Sequence, residues 1–315
     1  RSAKSRKLLV VFCPTLTNPY YVMLLQGIEA MAKEYGYGVF VCNTQRDLKI
    51  EENYLRMMRE VQPLGIIYAC NPSFSRQVAE LSGEIPVVVI SNRDDEFSID
   101  AVALNNQKPG ILMARHLLEL GHRDVAFIAP PLTARQHQRQ KRVGGFLMEF
   151  EKAGLSDHVL VRSAADSKDT EIPNIESEYR MGYDLTVELL REGQPVTAIA
   201  ALNDMMAFGA MDAMKAAGIS YGVDGDVILI SFDACTAGLE YVMSGDINAD
   251  FECNPLAAPF VEDVIQQLES GSTPDKEVYM VEHWYVNEDI LSSITVNGEE
   301  QELTVVTQEI VDAQY

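Results

Sequence analysis

Apolar runs and amphipathic stretches alternate along this chain almost without interruption, and that alternation restricts it to one architectural class. The run 8–13, LLVVFC, is apolar at every position, after which Leu24, Ile28, Met31 and Tyr35 recur at helical spacing until Gly36. A strand pattern at 39–42 follows, then a helix with Tyr54, Leu55, Met58 and Val61 on one face, closed by Pro63. A strand at 65–70, a short helix around Phe74, Val78 and Leu81, and a strand at 86–90 complete three successive β-α-β units. Strands that are apolar at consecutive positions are buried on both faces, which is the signature of a parallel sheet sandwiched between its crossover helices.

The rhythm then repeats. After a short strand at 101–104 and a helix at 110–120, strands are expected at 125–129, 159–161, 197–202 and 227–231, separated by helices through Phe146 and Phe150, through Tyr183 and Leu189, and over 207–217. The chain is therefore read as α/β, two doubly wound parallel-sheet lobes joined by three crossover strands. Its 315 residues suit two domains of about 120–150 each. The expected division is residues 8–106 plus 253–282 in the N-terminal lobe and 107–252 plus 283–291 in the C-terminal lobe. Segments at 247–251 and 278–286 serve as return crossings, with a helix at 257–268 between them. Residues 1–7 are left as a linker, and 292–315 as a C-terminal extension. In that extension the turn Asn297-Gly298 predicts a hairpin pairing 292–296 with 303–305.

Charge and composition remove several function classes. A net charge of −22, from 47 acidic against 25 basic residues, repels phosphate backbones, so nucleic acid is no partner of this stretch itself. The basic cluster Arg1, Lys4, Arg6 and Lys7 is confined to the very start. No apolar run approaches the roughly 18 residues of a membrane span, and the first strand is too short for a signal-peptide core, so no membrane partner and a cytoplasmic location are expected. Cys13, Cys42, Cys70, Cys235 and Cys253 have no C-x-x-C spacing and read as buried free thiols. The five histidines form no ligand grouping, so neither a metal nor another cofactor is expected.

Function is sought at the carboxyl ends of the strands, where open α/β sheets bind ligands. In chain order these ends carry Asn18-Pro19-Tyr20-Tyr21, Asn71-Pro72, Asn92-Arg93, Arg142, Asn203-Asp204 and Asp233. Asn18 is also placed to cap the following helix, and Pro19 suits its first turn. Sugars present apolar C–H faces that stack on aromatic rings, and hydroxyls that donate and accept. Asn and Asp satisfy the donors, and Arg, which only donates, satisfies the acceptors in fixed fork geometry. A carbohydrate or nucleoside-like ligand fits this inventory. Each residue also has a plainer role open to it: Asn71, Asn203 and Asp233 as helix caps, Tyr20 and Tyr21 as core, Arg93 paired with Asp94 or Asp95, and Arg142 as one more charge beside Arg135, Arg139 and Lys141. Catalysis is not expected, because G-x-S-x-G, Walker and G-x-G-x-x-G patterns are missing and no catalytic residue is assigned.

With these residues the chain resembles the effector-binding core of the LacI family of bacterial transcription regulators, whose fold is shared with ribose-type periplasmic binding proteins. The resemblance runs over about residues 1–286. It is carried by Asn18-Pro19-Tyr20-Tyr21, the run 116–128 (HLLELGHRDVAFI), Arg142 to Phe146, and the run 203–210 (NDMMAFGA). It implies a periplasmic-binding-protein-like type I fold and a small-molecule effector, carbohydrate in nature, held between the lobes. The implied contacts are Asn18, Tyr20, Tyr21, Asn71, Asn92, Arg93, Arg142, Asn203 and Asp233, with Asp204 adjacent. It further implies a homodimer, and operator DNA bound only through an N-terminal helix-turn-helix headpiece that this stretch lacks, with residues 1–7 as its linker. Two positions depart from the family pattern: Asn92 stands where many sugar-binding relatives have Asp, and Cys253 where they have Gln. The competing expectation is an exported solute-binding protein of a sugar transporter.

Overall fold

The structure, a computed structural model, describes residues 7–90, 100–102, 106–132, 137–164, 175–253, 265, 268–270, 282–287, 289, 293–296 and 298–313. The chain divides into two compact units, the first made of residues 1–105, 167–174 and 254–281, the second of 106–166, 175–253 and 282–315.

In the first unit the expected alternation is realised as β1 (Leu8–Cys13), α1 (Pro19–Glu34), β2 (Gly38–Asn43), α2 (Leu48–Val61), β3 (Gly65–Tyr68), α3 (Ser75–Ser82), β4 (Val87–Ile90) and β5 (Asp100–Val102). The five strands are all parallel, in the order β2-β1-β3-β4-β5. Successive strand residues point to opposite faces, so the apolar runs feed two cores. Leu9, Val11, Cys13, Ile67, Val88 and Ile90 face Leu24, Leu25 and Ile28 of α1 together with Ile265 and Leu268. Val10, Phe12, Ile66, Tyr68, Val87 and Val89 face Leu55 and Met58 of α2 and Val78 and Leu81 of α3. The strand order reverses between β1 and β3, which is the position where a doubly wound sheet opens a crevice at its carboxyl edge.

The second unit repeats the scheme with α4 (Gln107–Glu119), β6 (Val125–Ala129), α5 (His137–Lys152), β7 (Val159–Ser163), α6 (Ile175–Arg191), β8 (Ala198–Ala201), α7 (Asp204–Ala216), β9 (Ile228–Phe232), α8 (Thr236–Ser244) and β10 (Ala249–Cys253). Strands β7-β6-β8-β9-β10 are parallel and carry the same order as the first sheet; β11 (Glu282–Val286) then adds antiparallel to β10. The C-terminal residues form β12 (Ser293–Val296), β13 (Glu299–Glu302), β14 (Thr304–Val305) and α9 (Gln308–Asp312). Strand β14 pairs with β11 at the edge of this seven-stranded sheet, and α9 packs on α8.

Three expectations change. Helix α4 starts at Gln107 rather than at residue 110, because Pro109 falls in its first turn, where no intrahelical N–H is needed. The hairpin exists, with Gly298 at φ +86 in its turn, but Ser293–Val296 pairs with Glu299–Glu302 and not with 303–305. A two-residue turn dictates that register, and Thr304–Val305 bond to β11 instead. Strand β10, at Ala249–Cys253, runs two residues later than 247–251, in the register that sets Ala249 beside Ile230 of β9. The expected helix at 257–268 and the strand start at 278–281 fall largely outside the described residues.

Two glycine pairs determine how closely the functional helices approach their neighbours. A Cβ on Gly110 of α4 would overlap the Arg142 carbonyl oxygen of α5, and one on Gly145 would overlap the Gln107 carbonyl. Likewise a Cβ on Gly182 of α6 or Gly209 of α7 would overlap Met206 O or Tyr179 O. Backbone-to-backbone contact therefore places Arg142 and the start of α7, independently of their side chains.

Candidate ligand-binding site

In the first unit β1 ends in a short, internally bonded loop. The Thr15 and Thr17 hydroxyls are 2.6 Å apart, and the Thr17 N–H donates to Thr15 Oγ1 at 3.1 Å. Asn18 then caps α1: its Oδ1 accepts the Tyr20 N–H at 2.9 Å and Pro19 follows in the first turn, as expected. The cap leaves Asn18 buried, with Tyr20 and Tyr21 half-buried and their rings edge to face, 5.0 Å between centroids at 82°. Tyr21 also packs against the α1-side core, so the plain reading of it as core holds in part. Asn71 lies beyond β3, half-buried, and does not cap α3, whose N-cap is Phe74 without a side-chain bond. Its loop is held by Glu51 of α2, buried, which accepts the Ser73 N–H at 2.9 Å. Glu51 was missed by sequence reading, since it looks like any surface position of an amphipathic helix. Asn92 and Arg93 lie outside the described residues.

In the second unit the carboxyl ends of β8 and β9 gather the remaining candidates. The Arg142 guanidinium sits 3.3 Å from the centroid of the Phe232 ring, Nη1 donates to the Leu202 carbonyl at 2.6 Å, and Nη2 donates to Asn106 Oδ1 at 2.8 Å. Arg142 is thus an anchored, half-buried group placed between the residues that precede Asn203 and Asp233, not one more solvated charge. Arg139 is also withdrawn from solvent, its side chain 12% exposed, and donates to Glu178 Oε1 at 3.1 Å. The other oxygen of Glu178 accepts Asn203 Nδ2 at 2.8 Å, while Asn203 Oδ1 caps α7 by accepting the Met206 N–H at 3.1 Å. Asn203 therefore has both roles left open by the sequence, cap and oriented amide.

Asp204, buried at the first position of α7, accepts the Ser231 hydroxyl and, at 2.8 Å, the Cys235 N–H. Burial raises its pKa, against the lowering effect of these hydrogen bonds. Asp233 follows β9 with φ +121 and Ala234 with φ +49, backbone angles that side-chain-bearing residues seldom adopt and that cost of order 1–3 kcal/mol each. It does not cap α8, whose N-cap is Cys235. Phe232, Asn106, Glu178 and Asp250 were not among the sequence candidates. Phe232 could have been: an aromatic immediately before a strand-end aspartate is a visible signal.

Cys13, Cys42 and Cys235 are buried free thiols, as expected, and Cys70 is half-buried. Burial raises Cys13 to about 11 and Cys42 to about 12, so both are inert thiols at neutral pH. Among the described residues no His, Cys, Asp or Glu cluster could hold a metal ion, and no helix is long and apolar enough to cross a membrane.

Comparison with known proteins gives this geometry a lineage. The HTH-type transcriptional regulator DegA of Bacillus subtilis is 29% identical over 237 residues, covering 74% of this chain and 66% of that protein, so the chain spans just under two-thirds of its relative. A periplasmic binding protein/LacI transcriptional regulator from Alkaliphilus metalliredigens, solved with D-xylulofuranose, shares the fold at a TM-score of 0.73 and 22% identity, over 91% of this chain and 100% of that one. An ABC transporter periplasmic solute-binding protein from Actinobacillus succinogenes, solved with D-allose, does so at 0.71 and 21%, over 87% and 95%. Residues 5–246 match a single family along their whole length. The chain belongs to the periplasmic binding proteins and sugar-binding domain of the LacI family.

Proposed function

We propose that this chain is the ligand-sensing core of a bacterial transcription regulator and that its effector is a sugar or sugar derivative. Arg142, Asn203 and Asp233 of the second unit and Asn18, Tyr20, Tyr21, Asn71, Asn92 and Arg93 of the first are its contacts, with Asp204 adjacent to Asn203. The observation that carries the reading is the anchored Arg142: a fork of donors stacked on Phe232 and bonded beside Asn203 is preorganised for hydroxyl acceptors, at little further ordering cost. The chain binds its ligand without converting it. The effector's preference for one conformation shifts operator binding by a DNA-binding segment of the full-length protein, which acts in the cytoplasm as a homodimer. The likeness to DegA supports the regulator reading.

The test is a thermal-shift screen with D-ribose, D-allose, D-xylulose and myo-inositol, followed by calorimetry. Saturating ligand raises the melting temperature by mass action, and mass spectrometry recovers it unchanged. Arg142→Lys, which keeps the charge but loses the planar fork, weakens binding at least tenfold. No shift with any sugar, or equal affinity in Arg142→Lys, overturns the assignment. The competing reading, an exported binding protein, is favoured by the likeness to the D-allose-bound transporter component. It is decided by whether the gene encodes a helix-turn-helix or an export signal ahead of Arg1.

A further inference from the structure

The second sheet holds a pair of carboxyls that the ligand contacts do not use. Asp204, at the start of α7, is 2% exposed and Asp250, in β10, is fully buried. Both reach the one spot that Gly238 of α8 leaves open: a Cβ there would lie 2.6 Å from Asp250 Oδ2 and 2.7 Å from Asp204 Oδ2. The two Oδ2 atoms thus converge on one buried spot, near enough for the charge of each carboxyl to act on the other. Asp204 already accepts the Ser231 hydroxyl and the Cys235 N–H, while Asp250 Oδ1 accepts the Ala234 N–H at 3.1 Å. No N–H or hydroxyl reaches Asp250 Oδ2, and no cation pairs with either carboxyl among the described residues. Two adjacent anions, both buried and without a counter-charge, cannot persist, so one proton must lie between them.

We infer that Asp250 is a positioning residue that keeps its proton at neutral pH: Oδ2–H donates to Asp204, Oδ1 accepts from Ala234, and the closed arrangement holds the strained turn that presents Asp233. Three consecutive amides of that turn are tied down, Asp233 N to Phe251 O at 2.9 Å, Ala234 N to Asp250 and Cys235 N to Asp204. Of the groups facing the pair, the Asp233 carboxylate disfavours a second negative charge on Asp250, while the Cys235 side chain and the Ser231 hydroxyl favour the charge on Asp204, which makes Asp250 the member that keeps the proton. The remaining neighbours, from β10 and β11, are Glu252 and the Tyr285 hydroxyl that donates to it at 2.9 Å. Burial first, then the Asp204 charge, pushes Asp250 well above its ordinary value of 3.8. Loss of the proton sets the two carboxylates against each other and releases the turn. That Asp233 meets a ligand rests on the function proposed above; the shared proton does not.

The test therefore uses no ligand. A carboxyl whose folded pKa is raised stabilises the fold fully below its unfolded value and loses that contribution as pH rises toward the folded one. Urea unfolding of the chain and of Asp250→Asn, which keeps the acceptor and replaces O–H by N–H, is compared from pH 4 to pH 8. Relative to the variant, the wild-type folding constant falls tenfold per pH unit, which is one proton. Infrared spectra of the wild type with carbon-13-labelled aspartate show a buried carboxylic-acid C=O band at pH 7, which Asp250→Asn lacks; should the variant not fold, the wild-type band alone decides. Parallel pH profiles, or no carboxylic-acid band at pH 7, overturn the inference.

Discussion

Removing the Glu178 carboxylate tests whether the second unit's polar cluster is a buried network or a surface ornament. Glu178→Ala takes the ion-pair partner from Arg139, 3.1 Å away, and the acceptor from Asn203 Nδ2, 2.8 Å away. The side chains of Glu178 and Arg139 are only 10% and 12% exposed, so solvent screens little of the change. Breaking a buried pair by removing one partner costs about 3–5 kcal/mol, against about 0–1 for a surface pair. At a denaturant slope of about 2 kcal/mol per M, the urea midpoint drops by roughly 1.5–2.5 M. Trp284 is the only tryptophan in the chain and lies in β11 of the same unit, so its fluorescence follows that unit's unfolding. A double-mutant cycle with Arg139→Ala isolates the pairwise part, expected at about 2 kcal/mol. A coupling within about 0.5 kcal/mol of zero would mean that the pair behaves as an exposed one, and the argument from burial would fail.

Two further outcomes follow from the packing. His116 is fully buried against Phe251 and Trp284, neither ring nitrogen has a hydrogen-bond partner among the described residues, and burial lowers its pKa to about 3. The unfolded chain takes up a proton on this group below about pH 6.5 and the folded chain does not, so stability falls as pH drops from 6.5 toward 3, and His116→Phe removes that component in matched urea titrations. Gly110→Ala forces a methyl into the Arg142 carbonyl and to 2.9 Å from Phe146 N, so it destabilises by roughly 1–3 kcal/mol and weakens sugar binding by displacing α5; a variant as stable as the wild type would show that α4 and α5 are not in backbone contact.

The readable parts of this chain were those with a local physical cause. Runs such as Leu8–Cys13 and Ile228–Phe232 are apolar at almost every position because both sheet faces are covered, and the helices between them bear one apolar stripe; strand class and parallel direction follow without any knowledge of partners. Asn18 with Pro19 announced a capped helix start, and Asn297-Gly298 a two-residue turn. Where local signals competed, the sequence left the choice open: Asn203 reads equally as cap and as site residue, and it is a cap whose amide faces Glu178.

What the amino-acid order determined by itself was therefore the β-α-β alternation, the doubly wound class, and the strand ends at which Asn203 and Asp233 stand; Arg142, expected at a strand end, lies instead inside α5, well past the end of β6. Tertiary structure alone decided which of the polar residues meet. Arg142 rests on Phe232 because Gly110 and Gly145 let α4 and α5 touch. Asp250 reads as one acid in an ordinary strand until β8, β9 and β10 lie side by side and bring it to Asp204 beside Gly238. Periodicity is a property of neighbours in sequence, whereas a shared proton or a stacked guanidinium is a property of neighbours in space, and only the packed sheet makes those neighbours.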